Sequence, residues 1–338
     1  MAAGGQSQLK RYGRLFEKVV SFDNLLLAAG KALKGKKHTD SASAFYFNME
    51  NEILSLQKEL EEKKYKPLPL KFFFIREPKV RKIGAAEFRD RVVHHAVCSV
   101  MEPIFEKSYI YHSYACRKDK GTHRAIKQAR RYCRKYDYFL KCDIKKYFAG
   151  IHHQVLKQVL KDKFKDPELL WLLEVIIDSA GSGKKGIPIG NLTSQHFANF
   201  YLDKMDHFIK DKLRVKGYLR YMDDFILFGP DKVQLHLLKA KVSDFLSGTL
   251  LLELKEESTL VAPCYTGIPF LGFRIFPGII RIKKENKQRW LKNLKKRVKE
   301  YEEGLIDEEK YSRCLASMTE HLKIADTYGF RRKVFHGM

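Results

Sequence analysis

The sequence predicts an α+β fold, and three features carry that expectation. At 338 residues and 44% hydrophobic, the chain has apolar material for a sizeable core spread over two or three lobes. Apolar residues recur at helical spacing near both ends. Between those ends lie short apolar runs of strand length, at 70–75, 137–143, 218–228 and 270–276.

The first 70 residues read as a helical extension. Leu15, Val19 and Phe22 give one stripe; Phe45, Phe47, Ile53, Leu54, Leu56 and Leu60 give another, closed by Pro67 and Pro69. Residues 31–43, KALKGKKHTDSAS, separate them as an exposed loop. Residues 70–75 and 81–83 form a hairpin around a turn at Glu77-Pro78-Lys79. Over 87–100, Val92, Val93, Ala96, Val97 and Val100 follow helical spacing. DYFLKCD at 137–143 is a strand with an acid at its end, and 152–164 is helical. GSGKKGIPIGN at 181–191 is a glycine-rich loop, followed by one long helix over 192–213. YLRYMDDFILF at 218–228 reads as a hairpin with two acids at its tip, and FLGFRIF at 270–276 as a strand. Beyond Pro277, Trp290, Leu294, Val298 and Tyr301 make one helical stripe. Tyr311, Leu315, Met318 and Leu322 make a second, opened by Asp307 as N-cap.

Lysine and arginine total 65 against 40 acidic residues, a formal net charge of +25. The excess runs from end to end. A polyanion such as nucleic acid fits it better than a membrane surface, where basic anchors are local. No apolar run reaches about 18 residues, so no membrane-spanning helix is expected. The start, MAAGGQSQLKRYGRLFEK, lacks the apolar stretch of a secretion signal. The six cysteines show no CxxC spacing, which reads as reduced thiols rather than a zinc site. The pairs His94-His95 and His152-His153 read as structural, because adjacent helical side chains point to different sides.

Chemistry is expected at the 218–228 hairpin. Adjacent carboxylates repel and raise one pKa, a penalty that a hard cation removes. Asp223 and Asp224, joined by Asp143 from a neighbouring strand end, would cage two Mg²⁺ ions. Two such ions about 3.5–4 Å apart stabilise the attacking and leaving oxygens of a phosphoryl transfer. Asp143 and Asp223 would bridge the ions, with the Ile144 carbonyl as an extra ligand. Asp224 would support from outside or bind one metal.

Several segments, taken together, resemble reverse transcriptases. Tyr221-Met222-Asp223-Asp224 between apolar runs resembles their signature, and DIKKYF at 143–148 their first catalytic motif. EPKVRKI and FRDRVVHHAV resemble the fingers of bacterial members, including group II intron and retron types. YACRKDKGTHRAI at 114–126 is similar to their second motif, and FLGFRIF to the segment before the thumb. The resemblance implies a right-hand polymerase with fingers, an antiparallel palm sheet with helices, and a short helical thumb. The implied boundaries are 1–70 for an N-terminal extension, 71–136 for fingers, 137–278 for palm with a finger-like insertion at about 152–190, and 279–338 for a basic thumb.

One departure points to a subtype. Where most reverse transcriptases carry Gln-Gly and Ser-Pro pairs, this chain reads Ile189-Gly190-Asn191-Leu192-Thr193-Ser194-Gln195. That segment resembles reverse transcriptases of diversity-generating retroelements. The resemblance implies error-prone, adenine-mutagenised cDNA copied from a template-repeat RNA, a cDNA or RNA primer, and dNTPs. It also implies two Mg²⁺ ions (Mn²⁺ as substitute), a small basic accessory variability determinant protein, and a cytoplasmic, bacterial or phage-encoded setting. The alternatives are a retron or group II intron-type enzyme, or a non-catalytic RNA-binding or splicing-support protein of the same fold.

The family positions carry over residue by residue. Lys79 and Arg81 would hold the triphosphate, and Phe148 would sit under the sugar and exclude a 2′-OH. Ile189 and Gly190 would lie beside the nascent pair, where isoleucine offers only apolar contact and glycine permits close approach. Gln195 would cap the following helix or line the template pocket, and Lys255 would be a palm lysine or a surface one. Arg89 and Arg91 would contact template phosphates or pair with Asp90. Lys284, Lys287 and Lys295 would face the template–primer duplex.

Overall fold

The computed structural model describes residues 11–37, 39–76, 79–179 and 183–335. Helices α1 (Phe16–Val20), α2 (Phe22–Leu33), α3 (Asp40–Phe47) and α4 (Met49–Glu61) precede a hairpin of β1 (Lys71–Ile75) and β2 (Arg81–Ala85). Helices α5 (Phe88–Ser108) and α6 (Thr122–Lys135) lead to β3 (Tyr138–Cys142). A single turn, α7 (Tyr147–Gly150), is followed by α8 (His153–Lys163), α9 (Pro167–Asp178), α10 (Leu192–Tyr201) and α11 (Asp203–His207). Next come β4 (Gly217–Tyr221), β5 (Asp224–Gly229), α12 (Lys232–Thr249), β6 (Leu260–Pro263), β7 (Ile268–Phe270), β8 (Phe273–Ile275) and β9 (Ile280–Ile282). Helices α13 (Lys284–Glu302), α14 (Glu308–Leu322) and α15 (Tyr328–Phe335) close the chain. The mix of helices with antiparallel sheets is the expected α+β class.

The chain forms two compact units, each assembled from three segments. The first comprises Met1–Ile110, Ile144–Phe208 and Ser243–Leu254. Its centre is α5, whose Val92, Val93, Ala96 and Val97 are buried as their spacing predicts. Phe105 of α5 stacks on Phe200 of α10, ring centroids 4.2 Å apart. Asp166 caps α9 through the Leu169 amide and takes the Leu15 and Phe16 amides on its other oxygen, at 2.6 and 3.0 Å. One buried carboxylate thus satisfies orphan donors of α1 and α9 together.

The second unit comprises Tyr111–Asp143, Ile209–Val242 and Lys255–Met338. It holds a four-stranded antiparallel sheet in the order β4-β5-β3-β6 and a three-stranded one, β7-β8-β9. Helix α6 presents Ala125, Ile126, Ala129 and Cys133 to Phe139, Leu219, Ile226, Phe228, Phe270 and Phe273, forming one core. Trp290, Leu294 and Leu322 bury a smaller core between α13 and α14, and the Trp290 indole N–H donates to the Met318 carbonyl at 3.0 Å. Asp307 caps α14, accepting from the Lys310 amide at 2.7 Å.

Several expectations needed correction. The loop expected over 31–43 is shorter, because α2 runs to Leu33 and α3 starts at Asp40. Phe47 and Leu54 are 88% and 47% exposed, so they lie off the buried stripe of Phe45, Ile53, Leu56 and Leu60. The long helix over 192–213 breaks into α10, α11 and a π turn at Phe208–Lys212, where Phe208 stacks on Phe245 at 4.3 Å. FLGFRIF is a hairpin corner instead of one strand: Leu271 and Gly272 both take positive φ, 46° and 88°. The Asn286 amide and the Lys283 N–H both donate to the Gly272 carbonyl and hold that corner. Helix α15 was not foreseen. The 77–78 part of the fingers turn and 181–182 of the glycine-rich loop lie outside the described residues. All six cysteines are free thiols, and no described helix is long and apolar enough to cross a membrane.

His94 is buried on α5, its Nδ1 without a hydrogen-bond partner, and burial pushes its pKa down to about 4. The folded chain keeps it neutral where the unfolded chain protonates near 6.5. Stability is therefore expected to fall as pH drops from 6.5 towards 4. Urea unfolding of His94→Leu should show a loss between pH 7 and 4.5 smaller than wild type by about 2 kcal/mol.

Candidate active site

The acids converge in the second unit through strand register. Strand β3 pairs with β5 so that Cys142 faces Phe225, the last pair of that ladder; Asp143 follows directly, and its charge is felt at Asp224, the residue before Phe225. Strand β4 pairs with β5 so that Tyr221 faces Asp224, leaving Met222 and Asp223 as a two-residue turn. Asp223 thus stands at the tip and Asp224 opens β5, one residue off the position the sequence suggested for it. Met222 enters the turn with a φ of 54°.

The surroundings tune these carboxylates. Burial pushes the Asp224 carboxyl up to about 6, and the charges of Asp143 and Asp223 push the same way. Lys141 opposes them, its Nζ 2.8 Å from Asp224 Oδ1, with side chains only 13% and 24% exposed. Lys283 lies in the same field: burial chiefly, then Lys141, pull its pKa down, while Asp224 pulls it up. The Lys255 N–H donates to the Asp143 carbonyl at 2.8 Å, so Lys255 meets the acids through its backbone. Lys141 was missed from the sequence, although period-two alternation already puts residues 141 and 143 on one strand face.

Among the described residues, no three His, Cys, Asp or Glu side chains form a ready-made cation cage. The donors present are nonetheless the hard oxygens that Mg²⁺ selects, and Mg²⁺ typically binds one or two carboxylates and completes its shell with water and substrate phosphate.

The first unit holds the other predicted positions. The Gly84 N–H donates to the Ile189 carbonyl at 2.9 Å and the Ala86 N–H to Asn191 Oδ1 at 3.3 Å, stitching the 186–191 loop to β2. Gly190 has a φ of 121°, and a Cβ there would lie 2.7 Å from Ile83 Cγ2. His153 Nε2 bonds the Gly186 carbonyl at 2.7 Å, tying α8 to the same loop. Phe148 is half-buried with its ring edge-on to Tyr147, whose hydroxyl donates to the Ala198 carbonyl. Ile144 is buried and bridged to Leu254, and Gln195 is half-buried on α10. Lys79 and Arg81 are exposed.

Arg89 and Arg91 are committed within this unit. Arg89 grips Glu59 with two bonds of 2.7 and 2.8 Å, and Arg91 Nε donates to the Ala86 carbonyl. Neither pairs with Asp90, which instead accepts from the Tyr65 hydroxyl and the Leu68 amide. In the second unit, Lys284, Lys287 and Lys295 are exposed along α13.

Residues 69–275, more than half of the chain, match the reverse transcriptase (RNA-dependent DNA polymerase) family. The chain belongs to the reverse transcriptase family. Among its relatives, Protein YkfC of Escherichia coli K12 is 24% identical over 66% of this chain and 71% of that protein. Group II intron-encoded protein LtrA of Lactococcus lactis is 24% identical over 76% of this chain and 54% of its own length. The match to a telomerase from Candida albicans has a TM-score of 0.51 at 14% identity, covering 66% of this chain and 48% of the telomerase; it shows the fold. The chain thus spans about half the length of LtrA and of that telomerase. A divalent metal is a general requirement of reverse transcriptases.

Gly190→Ala should cost about 1–3 kcal/mol, since alanine meets both the left-handed backbone and Ile83. Urea unfolding read with an exchange measurement at the Gly84 amide checks it: Gly84 protection should fall along with stability.

Proposed function

We propose that this reverse transcriptase copies an RNA template into DNA at Asp143, Asp223 and Asp224. The observation that supports the reading is the β3–β5 ladder, whose last pair, Cys142 and Phe225, is followed on one strand by Asp143 and preceded on the other by Asp224, with Asp223 at the adjoining turn. The reaction is attack of a primer 3′-OH on the α-phosphate of a dNTP. A new P–O bond forms, the bond to the β-phosphate oxygen breaks, and pyrophosphate leaves. Asp143 and Asp223 would hold two Mg²⁺ ions with the Ile144 carbonyl as a further donor, and the ions would supply charge stabilisation at the attacking and leaving oxygens. Asp224, with the Lys141 ammonium 2.8 Å away, would support the ions from beside them. Lys79 and Arg81 take the triphosphate, Phe148 discriminates against a 2′-OH, and Lys284, Lys287 and Lys295 track phosphates of the hybrid.

The finer reading is a diversity-generating type. Ile189 supports it: its carbonyl is committed to Gly84 and its side chain is apolar, so that side chain offers a nascent pair no directional bond of the kind a glutamine would. The template would then be a template-repeat RNA, with a small basic accessory protein as partner.

Primer extension on poly-rA with Mg²⁺ tests the polymerase reading. Asp223→Asn is expected to lose at least about a hundredfold in rate; a variant as active as wild type would refute it. For the subtype, Ile189→Gln should lower misincorporation opposite template adenines severalfold in sequenced products. An unchanged error spectrum returns the protein to the group II or retron type.

A further inference from the structure

Arg220 is fully buried and, among the described residues, one of the largest side chains so enclosed. It sits in β4 between Leu219 and Tyr221, paired across the sheet with Phe225. A guanidinium withdrawn from water is costly unless its donors are used, so a charge at this position in an apolar strand calls for a purpose. One donor is used on the acidic turn itself: Nη1 bonds the Met222 carbonyl at 3.2 Å.

Met222 is the residue that needs holding. Its φ of 54° is left-handed, a conformation that side-chain-bearing residues keep only where their surroundings enforce it. The next two residues are Asp223 and Asp224, so the Met222 peptide sets where both leave the turn. Arg220 is itself fixed from the other edge of β4. Its N–H donates to the His112 carbonyl and its carbonyl accepts from the Tyr114 N–H, both at 2.9 Å. The guanidinium therefore reaches forward from an anchored backbone to the one strained residue of the hairpin.

We propose that Arg220 is a positioning residue for the acidic turn: by holding the Met222 carbonyl it keeps Met222 left-handed and aims the carboxylates of Asp223 and Asp224 at the cation site they share with Asp143. The inference rests on reading those three acids as cation-holding. In this proposal Arg220 acts on the acids through the backbone of the turn that carries them. Lysine is a poor replacement, because its compact, strongly hydrated ammonium lacks the planar fork that reaches a carbonyl from a buried position.

The test uses the full chain as wild type, Arg220→Lys, Arg220→Met and Asp223→Asn. Mn²⁺ binding is titrated by electron paramagnetic resonance, folding is followed by circular dichroism, and primer–template affinity is measured separately. Arg220→Lys and Arg220→Met are expected to fold, to bind Mn²⁺ about tenfold more weakly, and to need about tenfold more Mg²⁺ for half-maximal primer extension, with primer–template affinity unchanged. Unchanged Mn²⁺ affinity in a folded variant overturns the proposal, and so does a parallel loss of primer–template affinity. Should the single variants misfold, Arg220→Lys with Met222→Asn decides. Asparagine enters the left-handed region more readily, so the pair should fold and recover most of the Mn²⁺ affinity. A pair that stays unfolded, or that folds and still binds weakly, overturns it. Failure of the underlying reading looks different: wild type and Asp223→Asn would then bind Mn²⁺ alike.

Discussion

The antiparallel pairing of β3 with β5 is the constraint on which the candidate site depends. Asp143 and Asp224 lie 81 positions apart in the chain, yet register places them on facing strands. Because side chains alternate with a period of two, a slip of one residue would turn Asp224 to the opposite face of the sheet. The register is held by burial, since Phe139, Leu140, Phe225, Ile226 and Leu227 are all inaccessible to water. The apolar core of the second unit is therefore also the device that collects its acids.

Collecting carboxylates has an electrostatic consequence. Burial and two like charges push Asp224 towards its neutral form, and Lys141 pulls it back. Lys141 belongs to the strand that delivers Asp143, so the strand that raises the repulsion also supplies the counter-charge. Lys283, at the start of α13, extends the positive field. A mostly buried ion pair of this kind is weak evidence for stability and better understood as holding a charge state in place.

The same economy appears in the first unit. The 186–191 loop has little regular structure, but Gly84, Ala86 and His153 fasten it through backbone and side-chain bonds. Asn191, which the sequence offered only as part of a loop, turns out to be an internal tie to Ala86, the residue just past β2. Arg89 and Arg91 went the other way. The family resemblance suggested phosphate contacts or pairing with Asp90, but Arg89 bonds Glu59 and Arg91 bonds the Ala86 carbonyl.

Much was legible because local signals are written in neighbouring residues. Apolar spacing gave the buried face of α5, Asp307 marked the start of α14, and the acids of YMDD stood out against apolar strands. What misled was nonlocal. The break in the helix after Tyr201, the exposure of Phe47 and the partner of Arg89 depend on which segments pack together, and no window of sequence contains both partners. The residue types at 143, 223 and 224, the surplus of positive charge and the order of elements were fixed by the chain alone. That Lys141 meets Asp224, that Arg220 reaches the Met222 carbonyl, and that Gly190 lies against Ile83 were decided by tertiary structure, because charge pairing and close packing act across space and take no account of distance along the chain.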